Sequence, residues 1–165
     1  MPESPKSARV ATLLWGVKQS FRSYVEGAGG AIEVGEGAER AADGVFAFAA
    51  VEGEGLTLDA AGKPQGAGRF RGAVRFQAHG GMLSVYLADP AVQATESGAS
   101  LTVAEGATRE RRVELARLDL AGSARGEHGE LVVPAVLAPD GWRVLGDHYP
   151  TGTPLDPVRL RLGRG

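Results

Sequence analysis

The chain has 165 residues, no cysteine and a formal net charge of −2 at pH 7. Disulfides, thiolate metal sites and thiol nucleophiles are therefore excluded, and the charge gives no general attraction to nucleic acid or to acidic membranes. Hydrophobic residues make up 43% and charged ones 23%, which suits one domain with its own core, while 25 glycines point to many turns between short strands.

No stretch approaches the roughly 20 apolar residues that a membrane-spanning helix needs. The N-terminus, "MPESPKSARVATLLWGVKQS", sets Lys6 and Arg9 ahead of a brief apolar patch, but Lys18 interrupts the patch and no small-residue cleavage site follows. As written, the chain shows neither export signal nor anchor, so a cytoplasmic location is expected. A secreted or cell-envelope location is the alternative if a leader lies outside this stretch.

In "SARVATLLWGVKQSFRSYVEG", Leu13, Val17 and Phe21 recur at four-residue steps and Tyr24 follows three residues on. This spacing predicts an amphipathic helix starting at an N-cap Ser7 and ending in Gly27, Gly29 and Gly30. Ser20 and Tyr24 would then lie on its inner edge. Residues 1–8 are expected to form a flexible N-terminus.

Beyond Gly30 the sequence reads as strand after strand. "AIEV", "VFAFAAV" and "LTLDA" are short and separated by glycine-rich turns. "GRFRGAVRFQAHGG" alternates, with Phe70, Val74, Phe76 and Ala78 on one face and Arg69, Arg71, Arg75, Gln77 and His79 on the other. "MLSVYLAD" follows Gly80-Gly81 at hairpin spacing. "ASLTVAE", "RRVELARLDLAG", "GELVVPAVLA" and "DPVRLRLG" complete the set, and the parity slip between Leu115 and Leu118 predicts a bulge. The expected fold is mainly β: an antiparallel β-sandwich or barrel-like domain with one N-terminal amphipathic α-helix packed on it.

Few residues announce chemistry by spacing. His79, His128 and His148 form no HExxH-type pair, and no GxSxG elbow is present. His128 sits in the polar turn "RGEHGE" and reads as solvated. His79 ends a strand on its polar face, a setting that suits either a functional imidazole or an ordinary exposed one. "EGAGGAIEVGEG" lacks the lysine of a phosphate loop and reads as turns. Asp89, Asp119 and Asp140 form no calcium loop, and Asp156 in "PLDPV" reads as a turn residue before proline. The arginine face over residues 69–75 could attract an anion, although a solvated sheet face is commoner. Tyr24, by spacing alone, reads as core.

Three segments together add a further expectation. "LLWGVKQSFRSYVEG", "GRFRGAVRFQAHGGMLSVYLADPAV" and "YPTGTPLDPVRLRL" resemble, in order and separation, the heme-transport-associated (HtaA) domain of actinobacteria. The resemblance covers roughly Leu13 to Leu162 and is thin over residues 95–140. It implies a single HtaA-like heme-binding domain at 9–163, of the uptake and transport type and not an enzyme. The cofactor would be heme (ferric protoporphyrin IX), with Tyr24 as the axial iron ligand and His79 hydrogen-bonded to that phenol. Ser20 and Tyr149 would contact the heme propionates. Where relatives carry an aromatic over the porphyrin, this chain has His148, which would either stack on the ring or reach the iron.

These residue types suit that role. Ferric iron is a hard acid and a phenolate a hard anionic donor. A free phenol ionises only near pH ~10, so the ligating form gains from the iron's charge and from a histidine on its oxygen. Residues at i and i+4 lie about 5–6 Å apart at Cβ, so Ser20 and Tyr24 can address one ligand. The expected partners are heme and other heme-transport proteins, without nucleic acid or membrane insertion; a homodimer is compatible with the sequence. The competing class is a β-sandwich protein- or glycan-interaction module without heme. A heme-processing enzyme using His148 as acid-base group ranks last.

Overall fold

The computed structural model describes residues 8–51, 55–59, 63–95, 98–105, 111–141, 144–145 and 149–163. The first half of the chain forms β1 (Ala8–Trp15), α1 (Gln19–Gly27), β2 (Ala31–Gly35), β3 (Glu39–Arg40), β4 (Phe46–Ala50), β5 (Thr57–Leu58), β6 (Pro64–Gln65), β7 (Ala67–Arg71) and β8 (Ala73–Ala78). The second half forms β9 (Leu83–Ala94), β10 (Ala99–Glu105), β11 (Arg111–Leu118), β12 (Ala124–Arg125), β13 (Leu131–Leu137) and β14 (Pro154–Leu162).

Pairing along β4-β7-β9-β10-β11-β13-β14-β1, together with a β4–β1 ladder, closes an antiparallel barrel of eight strands. Closure removes the exposed edges that an open sandwich would keep. Alternate residues of the wall point inward, so Phe46 and Phe48, Leu101 and Val103, Leu131 and Val133, and Val158 and Leu160 are all buried in one continuous core. The expected bulge is present at Leu115: Leu101 pairs with Ala116 and Thr102 with Glu114, which leaves Leu115 unpaired and turns both Leu115 and Ala116 into the core.

The N-terminal segment departs from expectation. Residues 8–15 are a strand in the barrel wall, and only Gln19–Gly27 is helical. A four-residue apolar spacing fits a strand as well as a helix, because four is also a multiple of two; Leu13 and Trp15 join the main core, and Leu14 between them is buried too. Val17, a β-branched residue at φ 67°, breaks the chain direction between strand and helix. Ser7, the expected N-cap, and most of the expected flexible segment 1–8 lie outside the described residues. Lys18 occupies the N-cap position and makes no side-chain cap.

Within α1 the buried residues are Phe21, Arg22 and Val25. Phe21 packs on Phe76 with ring centroids 5.0 Å apart. Ser20 and Tyr24 therefore lie on the exposed side, not on the inner edge that the spacing suggested. Val25, four residues after Phe21, takes the place on the apolar stripe that had been given to Tyr24.

The predicted β7–β8 alternation holds on both faces, but the run is two strands broken at Gly72. β9 serves both: Leu83–Ala88 pairs with β8, and Ala91–Gln93 pairs with β7. β2 pairs with the other side of β8, so β2, β8 and the first half of β9 form a three-stranded flap standing off the barrel beside α1. Gly72 adopts φ 144°, and a β-carbon there would run into Ala38. Gly72→Ala is expected to lower unfolding free energy by about 2 kcal/mol through backbone strain and overpacking, measured by urea denaturation; an unchanged midpoint would contradict this account of the break.

Candidate functional site

Helix α1 carries the first candidate residue, and a buried ion pair fixes that helix. Arg22 is the only charged residue buried among those described. Its Nη1 donates to Asp156 Oδ2 at 2.6 Å and to the Gly16 carbonyl at 2.8 Å. Asp156 Oδ1 accepts the Gln19 backbone N–H at 2.9 Å, so a carboxylate from β14 caps a helix that has no cap of its own. The negative charge also lies at the positive end of the helix dipole. The Asp156 backbone continues the tie: its N–H donates to Val17 O, and its carbonyl accepts from Trp15 Nε1 at 2.7 Å. Gly16 must lack a side chain, because a β-carbon would occupy the space of the Arg22 guanidinium. Asp156 is thus a structural hub within a strand, not the turn residue its sequence setting suggested.

At the other end of the helix, Glu26 pairs with Arg40 at 3.1 Å. Between the two ties Tyr24 stands 45% exposed. Opposite it, the β8–β9 hairpin turns through a short 3-10 segment, His79–Gly81. His79 itself has φ 56°, a left-handed conformation that histidine enters more readily than most residues. That turn brings the imidazole to the helix: Tyr24 Oη and His79 Nε2 are 2.6 Å apart, and the rings are tilted at 57° with centroids at 5.7 Å. Two segments 55 residues apart therefore meet in one short hydrogen bond on an open face.

The hairpin tip beside this pair is uncrowded. Met82, at the end of the same turn, is 91% exposed. Nothing lies within 4 Å of a β-carbon position at Gly27, Gly29, Gly80 or Gly81. An exposed aromatic, two glycines at the hairpin tip and an uncovered methionine leave room for a flat ligand against the Tyr24–His79 pair.

Ser20 lies one turn before Tyr24 and is exposed. Tyr149 is half-buried and meets Phe21 edge-on, with centroids at 6.3 Å. Lys18 Nζ lies 5.5 Å from the Tyr149 ring centroid and donates to the Pro154 carbonyl. Tyr149 therefore gathers toward the N-terminal end of α1 with Lys18, while His79 meets the C-terminal turn. His148 lies outside the described residues. His128 is in an exposed turn, its backbone N–H bonded to Glu130. Sequence reasoning missed Arg22, Asp156, Gly16 and Lys18. No local spacing marks Arg22 as buried: it follows Phe21 in "SFRSY" about 100° round the helix, and its burial comes from the partner on β14.

The HtaA family profile ("Htaa") matches residues 10–161. The chain belongs to the HtaA family. Among solved structures, this HtaA domain is similar to the N-terminal domain of HtaA from Corynebacterium glutamicum, at 28% identity and TM-score 0.72 over 95% of this chain and 99% of that one. It is similar in fold to the C-terminal domain of the same protein, at 24% identity and TM-score 0.70 over 96% and 99% of the two chains. The fold is also shared with the heme binding protein HtaB from that organism, at 20% identity and TM-score 0.64 over 94% and 93%. No curated protein matches the chain.

Asp156→Ala would strip the partner from an arginine whose side chain is only 9% exposed. It is expected to lower stability by about 3 kcal/mol, the low end for breaking a buried pair, because the aspartate side is partly solvated. Urea denaturation measures this, and a loss under about 0.5 kcal/mol, the range of ordinary surface substitutions, would contradict the role given to the pair.

Proposed function

We propose that this HtaA-family protein binds heme as a carrier of the uptake and transport type, with the Tyr24 oxygen as the iron ligand. The observation that carries this reading is the 2.6 Å contact between the exposed Tyr24 hydroxyl and His79 Nε2. Family membership supports it, as does the likeness to structures of HtaA domains and of a protein named as heme binding.

The residues suit the group. A tyrosine held at a helix surface by core contacts of its neighbours Phe21 and Val25 is a rigid oxygen donor. Ferric protoporphyrin IX would supply a hard Lewis acid matched to that oxygen and a broad apolar face. His79 serves the donor in both protonation states: neutral Nε2 accepts the phenol proton, and a protonated Nε2 donates to the phenolate. An anionic oxygen ligand favours the oxidised metal. Ser20 offers a hydroxyl to the propionates at the helix edge, and Tyr149 with the Lys18 ammonium offers polar groups toward the helix N-terminus. Met82 and the glycine-rich hairpin supply apolar contact, worth at most about 25 cal/mol per Å² buried.

The test is an absorbance titration with hemin. Wild type is expected to develop a defined Soret band at one equivalent, and Tyr24→Phe, which keeps the ring and removes the oxygen donor, is expected to lose it. Equal affinity and spectrum in Tyr24→Phe would refute the ligand assignment. His79→Ala removes a hydrogen bond to a charged group, so affinity should fall by about 1.5–3 kcal/mol; a wild-type spectrum and affinity would contradict its role. Ser20→Ala should cost about 0.5–1.5 kcal/mol of binding in the same titration, the size of one neutral hydrogen bond, and no loss would argue against propionate contact.

A further inference from the structure

A second site lies on the other flank of α1, at the turn between β3 and β4. Arg22 and Tyr24 are two residues apart, so their side chains leave the helix about 160° apart. Glu26 follows Arg22 at i+4 on the Arg22 flank and pairs with Arg40 of β3. The turn is closely tied: Ala41 N–H donates to Val45 O at 2.8 Å, and Gly44 N–H donates to Ala41 O at 2.9 Å. Asp43, the acid within it, is engaged elsewhere. One carboxylate oxygen accepts from Arg159 at 2.7 Å and the other from the Val45 N–H at 3.3 Å.

Two guanidiniums converge on this turn. Arg22 is only 7% exposed. Its Nη1 serves Asp156 and the Gly16 carbonyl, while its Nε and Nη2 have no partner among the described residues. Arg40 is held from three sides. Its Nε donates to the Gly44 carbonyl and its Nη1 to Glu26 Oε2, each at 3.1 Å, and the group stands 5.6 Å from the centroid of the Phe46 ring. Its Nη2 is left without a partner among the described residues.

Gly44, at φ 91°, marks where the two groups meet. Chain neighbours aside, the three atoms nearest to a β-carbon placed on it are all guanidinium nitrogens: Arg40 Nη2 at 3.6 Å, Arg22 Nη2 at 3.7 Å and Arg22 Nε at 3.8 Å. One point beside the glycine is therefore open and faces N–H groups of two arginines. Gly44 is half-buried and the Arg40 side chain 30% exposed, which gives an ion a side to enter from. Buried N–H donors cost free energy until something accepts from them, and like charges this close repel. A water would answer the first cost alone. An anion answers both.

We propose that Arg22 and Arg40 bind one small anion beside Gly44, a halide or a single oxyanion group, and that this anion fastens α1 to the β3–β4 turn. Arg22 supplies the buried donors, and Arg40 is the more exposed arm that closes on the ion. Three nitrogens around one point suit a single ion, not an extended polyanion. The site faces away from Ser20 and Tyr24, so it does not rest on heme binding.

Urea denaturation of the full chain at constant ionic strength tests this, with sodium chloride in one arm and sodium phosphate in the other replacing sodium gluconate. The wild-type midpoint is expected to rise and level off with at least one of the two anions, as binding to the native state requires. Arg40→Gln is the variant to use, because Arg22 also holds Asp156; it should need about tenfold more anion for the same rise, or show none. The rise should persist in Glu26→Gln, which keeps both guanidiniums, and in Arg125→Gln and Tyr24→Phe. A rise with chloride assigns the site to halides, and a rise with phosphate alone assigns it to oxyanions. No rise with either anion, as a bridging water would give, or an equal rise in Arg40→Gln would overturn the proposal. So would an equal loss in Glu26→Gln, which assigns the effect to the ion pair, or in Arg125→Gln, which assigns it to general charge. Because hemin is absent, failure here is separate from any failure of heme binding.

Discussion

The geometry of the candidate site depends on the bond between Arg22 and Asp156. A nine-residue helix is too short to persist alone, and α1 begins without a capping side chain. β14 supplies what the helix lacks: a carboxylate on its first N–H, a partner for its buried guanidinium and a backbone ladder to Val17. Because β14 is part of a closed barrel wall, the helix inherits the rigidity of the barrel. A buried pair of this kind often contributes less net stability than an apolar replacement would, so its value here is direction. It sets which side of α1 faces the core, and hence that Tyr24 faces out.

The second support is the flap. β8 and β9 extend past the barrel as a hairpin, and the parity that buries Phe76 and Ala78 carries His79 to the open side. The left-handed backbone at His79 then turns the imidazole to the helix. A rigid helix and a strained hairpin tip thus converge on a single 2.6 Å contact.

Much of this architecture was legible in the sequence. Alternation in "GRFRGAVRFQAHGG" identified which residues are buried and left His79 on the polar face, and the parity slip in "VELARLDL" indicated a bulge between Leu115 and Leu118, which the structure has at Leu115. What failed was the choice between periods over residues 8–17. Four-residue spacing fits both a helix and a strand, and the deciding facts were pairing of β1 with β14 and β4, which no local pattern contains. The reach of Asp156 to Gln19 and Arg22 across 134 residues or more was equally invisible, since "PLDPV" looks like a turn by its prolines. Family resemblance singled out Tyr24, where spacing pointed to core. The structure gives a physical reason for that conflict: Val25 and Phe21 fill the stripe, and Tyr24 is left over.

The most direct test of the central claim is a crystal structure of the chain grown with hemin. The account predicts that the Tyr24 phenol oxygen is the protein atom bonded to iron, with His79 Nε2 within hydrogen-bonding distance of that oxygen. Iron held by any other side chain, or porphyrin seated away from the α1–hairpin face, would contradict it.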